Sequence, residues 1–304
     1  TSTVAEMDQY ETFLQNCHSL IDIETHGARI LGSHLYGPFF RPEARGCHPE
    51  GAFLETDSFE AERLLEYSSK GLRTLTIAPE QPYADRITKL ASERGLLVTA
   101  GHSYATFPQM EAAVTWGVRH VDHLFCAMSD RARLRLQQPF PMRAGVMEAT
   151  LFFDELSTEV IADGEHLSPE LLRLAYKIKG RDRLALVTDA MRAVDCPDGE
   201  YLFGNKNTGQ PVRRFGNVGV TLDGQGLASG VMSMDHGIRT FINATNCPLQ
   251  DAIVMASLTP ARILKVDHQY GSLEAGKKAD LVVLDHKLHV QSVYVDGRMV
   301  FSDD

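Results

Sequence analysis

No CxxC pair occurs among the five cysteines, Cys17, Cys47, Cys126, Cys196 and Cys247, so neither a disulfide framework nor a cysteine-built zinc site is indicated. That usage fits a reducing cytoplasm. No apolar run approaches the roughly 20 residues of a membrane span. The basic-then-apolar pattern of a signal peptide is missing as well, although a first residue of Thr1 rather than Met leaves a processed or truncated start open. Basic blocks are scarce: 30 Lys and Arg stand against 40 Asp and Glu, for a formal net charge of -10. Electrostatics therefore gives no case for nucleic acid or an anionic membrane, and a small-molecule partner is expected instead.

What is present is enough apolar sequence for one large core. The chain has 304 residues, 43% of them hydrophobic, and a mean hydropathy of -0.18, which suits a single barrel with a small appendage. Short apolar runs alternate with amphipathic stretches, as parallel strands separated by helices do. The strand candidates are Ala28 to Leu35, Leu72 to Ile77, Leu96 to Ala100, Arg119 to Leu124, Glu159 to Ala162, Leu184 to Thr188 and Leu227 to Ser229. Helical patterns cover Glu6 to Leu20, Phe59 to Ser69, Tyr83 to Arg94, Pro108 to Trp116 and Pro169 to Lys179, and Gly71, Gly95, Gly117 and Gly180 fall where helices should stop.

That tally is about seven strands where a closed barrel has eight. The expectation is a TIM-like (β/α)8 barrel lacking, or truncated at, its first strand. Glycine-rich residues Tyr201 to Leu222 read as a β insertion, and helices at Met234 to Ala244 and Leu249 to Ser257 close the barrel. Beyond Gly271, the runs Leu281 to Leu284, Val290 to Val295 and Met299 to Phe301, turning at Asp296-Gly297, read as β-hairpins. The expected division is a barrel over 1-268, with its insertion at about 201-222, and a β-sandwich remnant over 269-304.

Polar residues that end barrel strands face the active-site mouth. Here those positions carry His34, His102, His123, Asp163, His166 and Asp189. A lone histidine is more often a satisfied structural residue than a ligand; six such groups at one end of one barrel are less easily dismissed. His102 and His123 follow consecutive strands and can reach one ion at the roughly 2 Å a zinc-like metal requires. Asp189 can move a proton between a water and a leaving amine, though a helix N-cap role would also suit it.

An ordered set of segments then carries a resemblance: His34-Leu35-Tyr36-Gly37-Pro38-Phe39 with Gly46-Cys47-His48, Ala78-Pro79-Glu80, Gly101-His102-Ser103, His123-Leu124-Phe125-Cys126-Ala127-Met128, Ile161-Ala162-Asp163-Gly164-Glu165-His166, Leu186-Val187-Thr188-Asp189-Ala190-Met191, Pro197-Asp198-Gly199-Glu200-Tyr201 and Gly276-Lys277-Lys278-Ala279-Asp280-Leu281. Over nearly its whole length the chain resembles the N-acetylglucosamine-6-phosphate deacetylases of the amidohydrolase superfamily. The resemblance implies that His102 and His123 hold a divalent metal, zinc first with Fe, Mn or Co as other choices. It also implies that Asp189 is the general acid/base and that His48 and His166 contact the sugar or its acetamide. A homodimer, in which the partner subunit can complete the phosphate site, is implied too.

The chain departs from that pattern. Tyr36 stands where the family pattern has a glutamate expected to bind metal, which makes Tyr36 or Cys47 the candidate third ligand; a small buried residue is the plainer reading of Cys47. Cys126 replaces an asparagine in the substrate loop beside Ala127. Arg131, Arg133, Arg135 and Arg143 form a local basic stretch in which Arg143 is the first choice for the phosphate, the others reading as solvated loop. The expected reaction is hydrolysis of the acetamide of N-acetylglucosamine 6-phosphate. The alternatives are an N-acetylgalactosamine 6-phosphate or other N-acyl substrate, and a barrel that binds a sugar phosphate without turning it over.

Overall fold

The computed structural model describes residues 1 to 304 except 22, 25, 26, 51, 52 and 304. Six parallel strands pair in chain order: β1 (Ser33–Phe39), β2 (Leu72–Ile77), β3 (Leu97–Ala100), β4 (Val118–Val121), β5 (Ser157–Ile161) and β6 (Leu184–Val187). Helices α1 (Met7–Leu20), α2 (Phe59–Leu65), α3 (Ala84–Glu93), α4 (Phe107–Trp116), α5 (Arg131–Gln137), α6 (Val146–Phe152) and α7 (Pro169–Lys179) precede or link these strands. This is the α/β barrel pattern. α4 starts on a capping box in which Thr106 N–H donates to Gln109 Oε1 at 2.8 Å, and α2 on Ser58, whose Oγ accepts from Ala61 N–H.

Two expected strands sit differently. The first begins at Ser33 rather than Ala28 and runs on through Pro38, because its register against β2 continues to Phe39 opposite Ile77. The seventh, β10 (Leu227–Gly230), joins a four-stranded antiparallel sheet with β7 (Gly199–Phe203), β8 (Gln210–Phe215) and β9 (Val218–Thr221). Its end alone touches the parallel sheet, through a bridge between Ala190 and Gly230 in which Gly230 N–H donates to Asp189 O and Met191 N–H to Gly230 O. The insertion expected at 201-222 is that β7–β10 sheet. α8 (Met234–Thr245), α9 (Leu249–Ala256) and α10 (Leu258–Ile263) follow, and β11 (Leu281–Leu284), β12 (Val290–Val295) and β13 (Arg298–Ser302) form a separate antiparallel sheet.

The main core lies between the strands and the surrounding helices, with Leu75, Ile77, Val98, Leu172, Leu184 and Phe241 among its buried members. Inside the barrel, where layers of branched aliphatics are usual, the chain places polar groups: His34, Thr74, Thr99, His120, Asp122 and Glu159 line a cavity of about 1370 Å³. Among the described residues no helix is long and apolar enough to cross a membrane.

Leu75 is fully buried at the centre of β2. Leu75→Ala is expected to destabilise the fold by about 2–5 kcal/mol, read as a lower urea midpoint at unchanged slope. A loss below about 1 kcal/mol would show that the site collapses without a cavity.

Candidate active site

His102, His123, Asp163 and Asp189 stand just past the C-terminal ends of β3 to β6, as barrel geometry requires, whereas His34, expected at a strand end too, is the second residue of β1, because that strand starts at Ser33 and runs on to Phe39. His102, His123 and Asp189 all take left-handed backbone angles, with φ of 47°, 22° and 44°. For a side-chain-bearing residue each such conformation costs on the order of 1–3 kcal/mol. The recurrence at three strand ends turns the side chains inward.

His102 and His123 meet, their Nε2 atoms 3.2 Å apart. His102 Nδ1 donates to Ala44 O at 2.8 Å, which fixes the tautomer and leaves Nε2 with a free lone pair. Phe40 stacks flat on the His102 ring at 4.0 Å, and the His48 ring stands edge-on to it at 5.1 Å. Burial holds His102 well below the usual histidine pKa, and the neighbouring His123 and His48 add to that; burial also lowers His48 to about 3. Both rings are therefore neutral at pH 7, the form that ligates metals. His123 Nδ1 is buried without a partner. Two converged imidazoles, one of them locked in its tautomer by the Ala44 carbonyl, fit a divalent ion.

Tyr36 points into the same centre, its hydroxyl 2.8 Å from His123 Nε2. Burial, and then the charges of Asp122, Asp189 and Glu159, push its pKa well above 10, so it is a neutral phenol. Cys47 lies against a separate apolar cluster of Met191, Ala193 and Phe203. Burial and the charge of Asp189 raise its thiol to about 12, and Cys126 is raised to about 12 by burial with Asp189 and Asp163.

Asp189 lies half-buried in the cavity wall. Burial raises its carboxyl pKa, while His123 acts most strongly to lower it and Ser229 contributes a hydrogen bond. His166 Nδ1 donates to Asp163 Oδ2 at 2.7 Å, and the N–H groups of Glu165 and His166 both reach Asp163 Oδ1 at 2.9 Å. Burial opposes the charge on Asp163, but these hydrogen bonds hold its pKa below the usual value. His166 is left with Nε2 available to the cavity it lines, as Ala127 and Cys126 also do.

The arginine stretch divides. Residues expected as a loop form α5, capped by Asp130, whose Oδ1 accepts from Arg133 N–H at 2.8 Å. Both Arg133 and Arg143 are exposed, but Arg133 alone of the two lines the cavity, with its guanidinium 4.3 Å from the centre of the Tyr104 ring.

Sequence reasoning passed over four groups. Glu80, at the end of β2, was quoted only within its segment, yet its carboxylate accepts from Ser103 Oγ at 2.6 Å and Tyr104 N–H at 2.5 Å, directly after His102. Burial raises its pKa. His120, Asp122 and Glu159 are grouped in the interior with ligand atoms within 4.8 Å of one another. The signal for them was present: His120 and Asp122 are two apart along an extended segment, so they share a face.

Paired imidazoles and a carboxylate at the mouth of an α/β barrel define a hydrolase of the amidohydrolase type. The Amidohydrolase family model matches residues 7–300, and the chain belongs to that family. Among its relatives, an N-acetylgalactosamine-6-phosphate deacetylase of Escherichia coli O157:H7 is 36% identical over 273 residues, covering 90% of this chain and 69% of that protein. An N-acetylglucosamine-6-phosphate deacetylase of Vibrio furnissii is 35% identical, covering 90% and 65% respectively. The chain thus spans about two thirds of the length of these relatives. Among solved structures, a mutant N-acetyl-D-glucosamine-6-phosphate deacetylase from Mycobacterium smegmatis, in complex with N-acetyl-D-glucosamine-6-phosphate, superposes with a TM-score of 0.86 at 28% identity. That match covers 99% of this chain and 75% of the other.

Because the thiolate is the reactive form, thiols held near 12 should resist alkylation. Iodoacetamide at pH 8 is expected to leave Cys47 and Cys126 unmodified in the native protein and to label both after unfolding, as read by peptide mass spectrometry. Rapid native labelling of Cys47 would mean that it is held as a thiolate.

Proposed function

We propose that this chain hydrolyses the acetamide of N-acetylglucosamine 6-phosphate, releasing acetate and glucosamine 6-phosphate. The observation that carries the reading is the 3.2 Å approach of the two Nε2 atoms of His102 and His123, with the Tyr36 hydroxyl 2.8 Å from the second of them. His102 and His123 would hold one divalent ion, zinc first, with the Tyr36 oxygen rather than Cys47 as the third protein group beside it. When bound, that ion supplies Lewis-acid chemistry at the acetamide carbonyl.

The chain's own groups do the rest. Asp189 takes a proton from the attacking water and returns it to the departing nitrogen, so that a neutral amine leaves. A carboxyl whose pKa is raised by burial is suited to both halves of that task. His166, locked on Asp163, presents Nε2 to the sugar or acetamide. Arg133 is assigned the phosphate in place of Arg143, because it alone of the two lines the cavity. The homodimer and the cytoplasmic setting belong to the same proposal; five free cysteines support a reducing compartment.

A second substrate is favoured by one observation, the galactosamine epimer in the name of the 36% identical E. coli relative. Acetate release measured in parallel from N-acetylglucosamine 6-phosphate and N-acetylgalactosamine 6-phosphate decides between them. Asp189→Asn is expected to lower kcat by about 10²–10⁴-fold, and undiminished turnover would remove it from the acid/base role. Arg133→Ala is expected to raise KM by roughly 10–100-fold, the loss of a charged hydrogen bond, with kcat little changed. If Arg143→Ala does so instead, the phosphate assignment reverts to that residue.

A further inference from the structure

Two carboxylates and an imidazole are buried together deeper in the barrel than the His102–His123 pair. No Lys or Arg pairs with Asp122 or Glu159 among the described residues. His120 and Asp122 are 3% and 2% exposed, while Glu159 keeps a quarter of its side chain open to the cavity. We propose that His120, Asp122 and Glu159 form a second divalent-cation site, for an ion of the zinc or manganese class, sharing no side chain with the His102–His123 centre.

The distances support an ion better than a simple hydrogen-bond cluster. His120 Nε2 and Glu159 Oε2 lie 3.3 Å apart, long for a charge-assisted hydrogen bond. It is close to the separation of neighbouring ligands on an ion with bonds of about 2.1 Å. All three ligand atoms lie within 4.8 Å of one another, close enough to converge on a single ion. One imidazole with two carboxylates is a donor set for zinc or manganese rather than for a soft ion.

The surroundings orient each ligand. His120 Nδ1 is held by Ser157 Oγ at 2.8 Å, which leaves Nε2 for the interior. Thr76 Oγ1 donates to Asp122 Oδ2 at 2.8 Å and also contacts Thr99 Oγ1 and His34 Nε2. Gly101 makes the room: a Cβ there would lie 2.3 Å from Asp122 Oδ2.

An independent observation points the same way. The unpartnered buried Nδ1 of His123, itself 6% exposed, lies on the ring edge nearer its backbone, whose N–H reaches Glu159 Oε1 at 3.4 Å. It is the only buried imidazole nitrogen without a partner among the described residues, and it stands beside the cluster. A hydrated cation there brings a water that can satisfy it.

The test counts ions on the full chain after chelator treatment, by equilibrium dialysis against Zn²⁺ and, separately, Mn²⁺, with metal read by mass spectrometry. The wild type is expected to hold two ions of at least one of these metals per chain. His102→Ala is expected to retain one, and Glu159→Gln combined with His120→Asn also one, with the fold checked by circular dichroism. A wild type that binds a single ion, all of it lost in His102→Ala, overturns the proposal, as does a folded double variant that still holds both. Should the double variant not fold, the His102→Ala count decides alone: an ion retained supports the site and none retained overturns it. Failure of the deacetylase reading would appear as absent acetate release and leave these counts untouched.

Discussion

Two histidine rings brought within 3.2 Å of each other are held there by backbone turns, one carbonyl and a few aromatic neighbours. β3 and β4 are adjacent and parallel, so the residues that follow them emerge on one side, and both turn through left-handed conformations to face each other. The Ala44 carbonyl then decides which nitrogen of His102 carries the proton. That carbonyl comes from the loop after β1, so the approach of the first strand's loop over the third strand's end governs the electronic state of the centre. Phe40 and His48, from the same loop, wall the ring from the other sides. That packing holds the ring's orientation, while the Ala44 carbonyl holds its tautomer.

Tyr36 gives the centre its particular character. A phenol held neutral by burial and by three surrounding carboxylates donates or accepts a hydrogen bond but carries no charge. The negative charge that the family pattern would place at that position is found instead deeper in the barrel, on Asp122 and Glu159. Burial raises Asp122 to about 6, with the charge of Glu159 adding to the shift, whereas Glu159, despite its own burial, is held below its usual value by His120 and the other histidines. Opposite shifts on two nearby carboxyls describe one shared charge system.

Much of this was legible in the sequence and some was not. The parallel strands from Leu72 to Val187 show as short runs rich in apolar residues because their outer face packs on helices, even where the inner face carries Thr74, Thr99, His120 or Glu159, and their ends could be located from the polar residues that follow. The order of His102, His123, Asp163 and Asp189 along the chain therefore gave their common placement. The pairing of Leu227 to Gly230 could not be read, since a short apolar run looks alike in a parallel and an antiparallel sheet. α5 was hidden because four arginines in thirteen residues resemble a solvated loop, and its Asp130 cap was the overlooked sign. The inward direction of Arg133 rather than Arg143 depends on helix phase and on the Tyr104 ring, neither of which spacing alone determines.

The polar lumen has a consequence for how the molecule can change. The close packing that stabilises the barrel lies outside it, between strands and helices, whereas the lumen is a wide open space in which polar groups such as His34, Thr99 and His120 stand among aliphatics such as Leu97, Ile161 and Val187. Exchanging one polar lumen residue for another removes little buried hydrocarbon, so new specificities or altered donor sets can arise there without eroding the scaffold. Chemistry and architecture are in this way separated across the thickness of a single sheet.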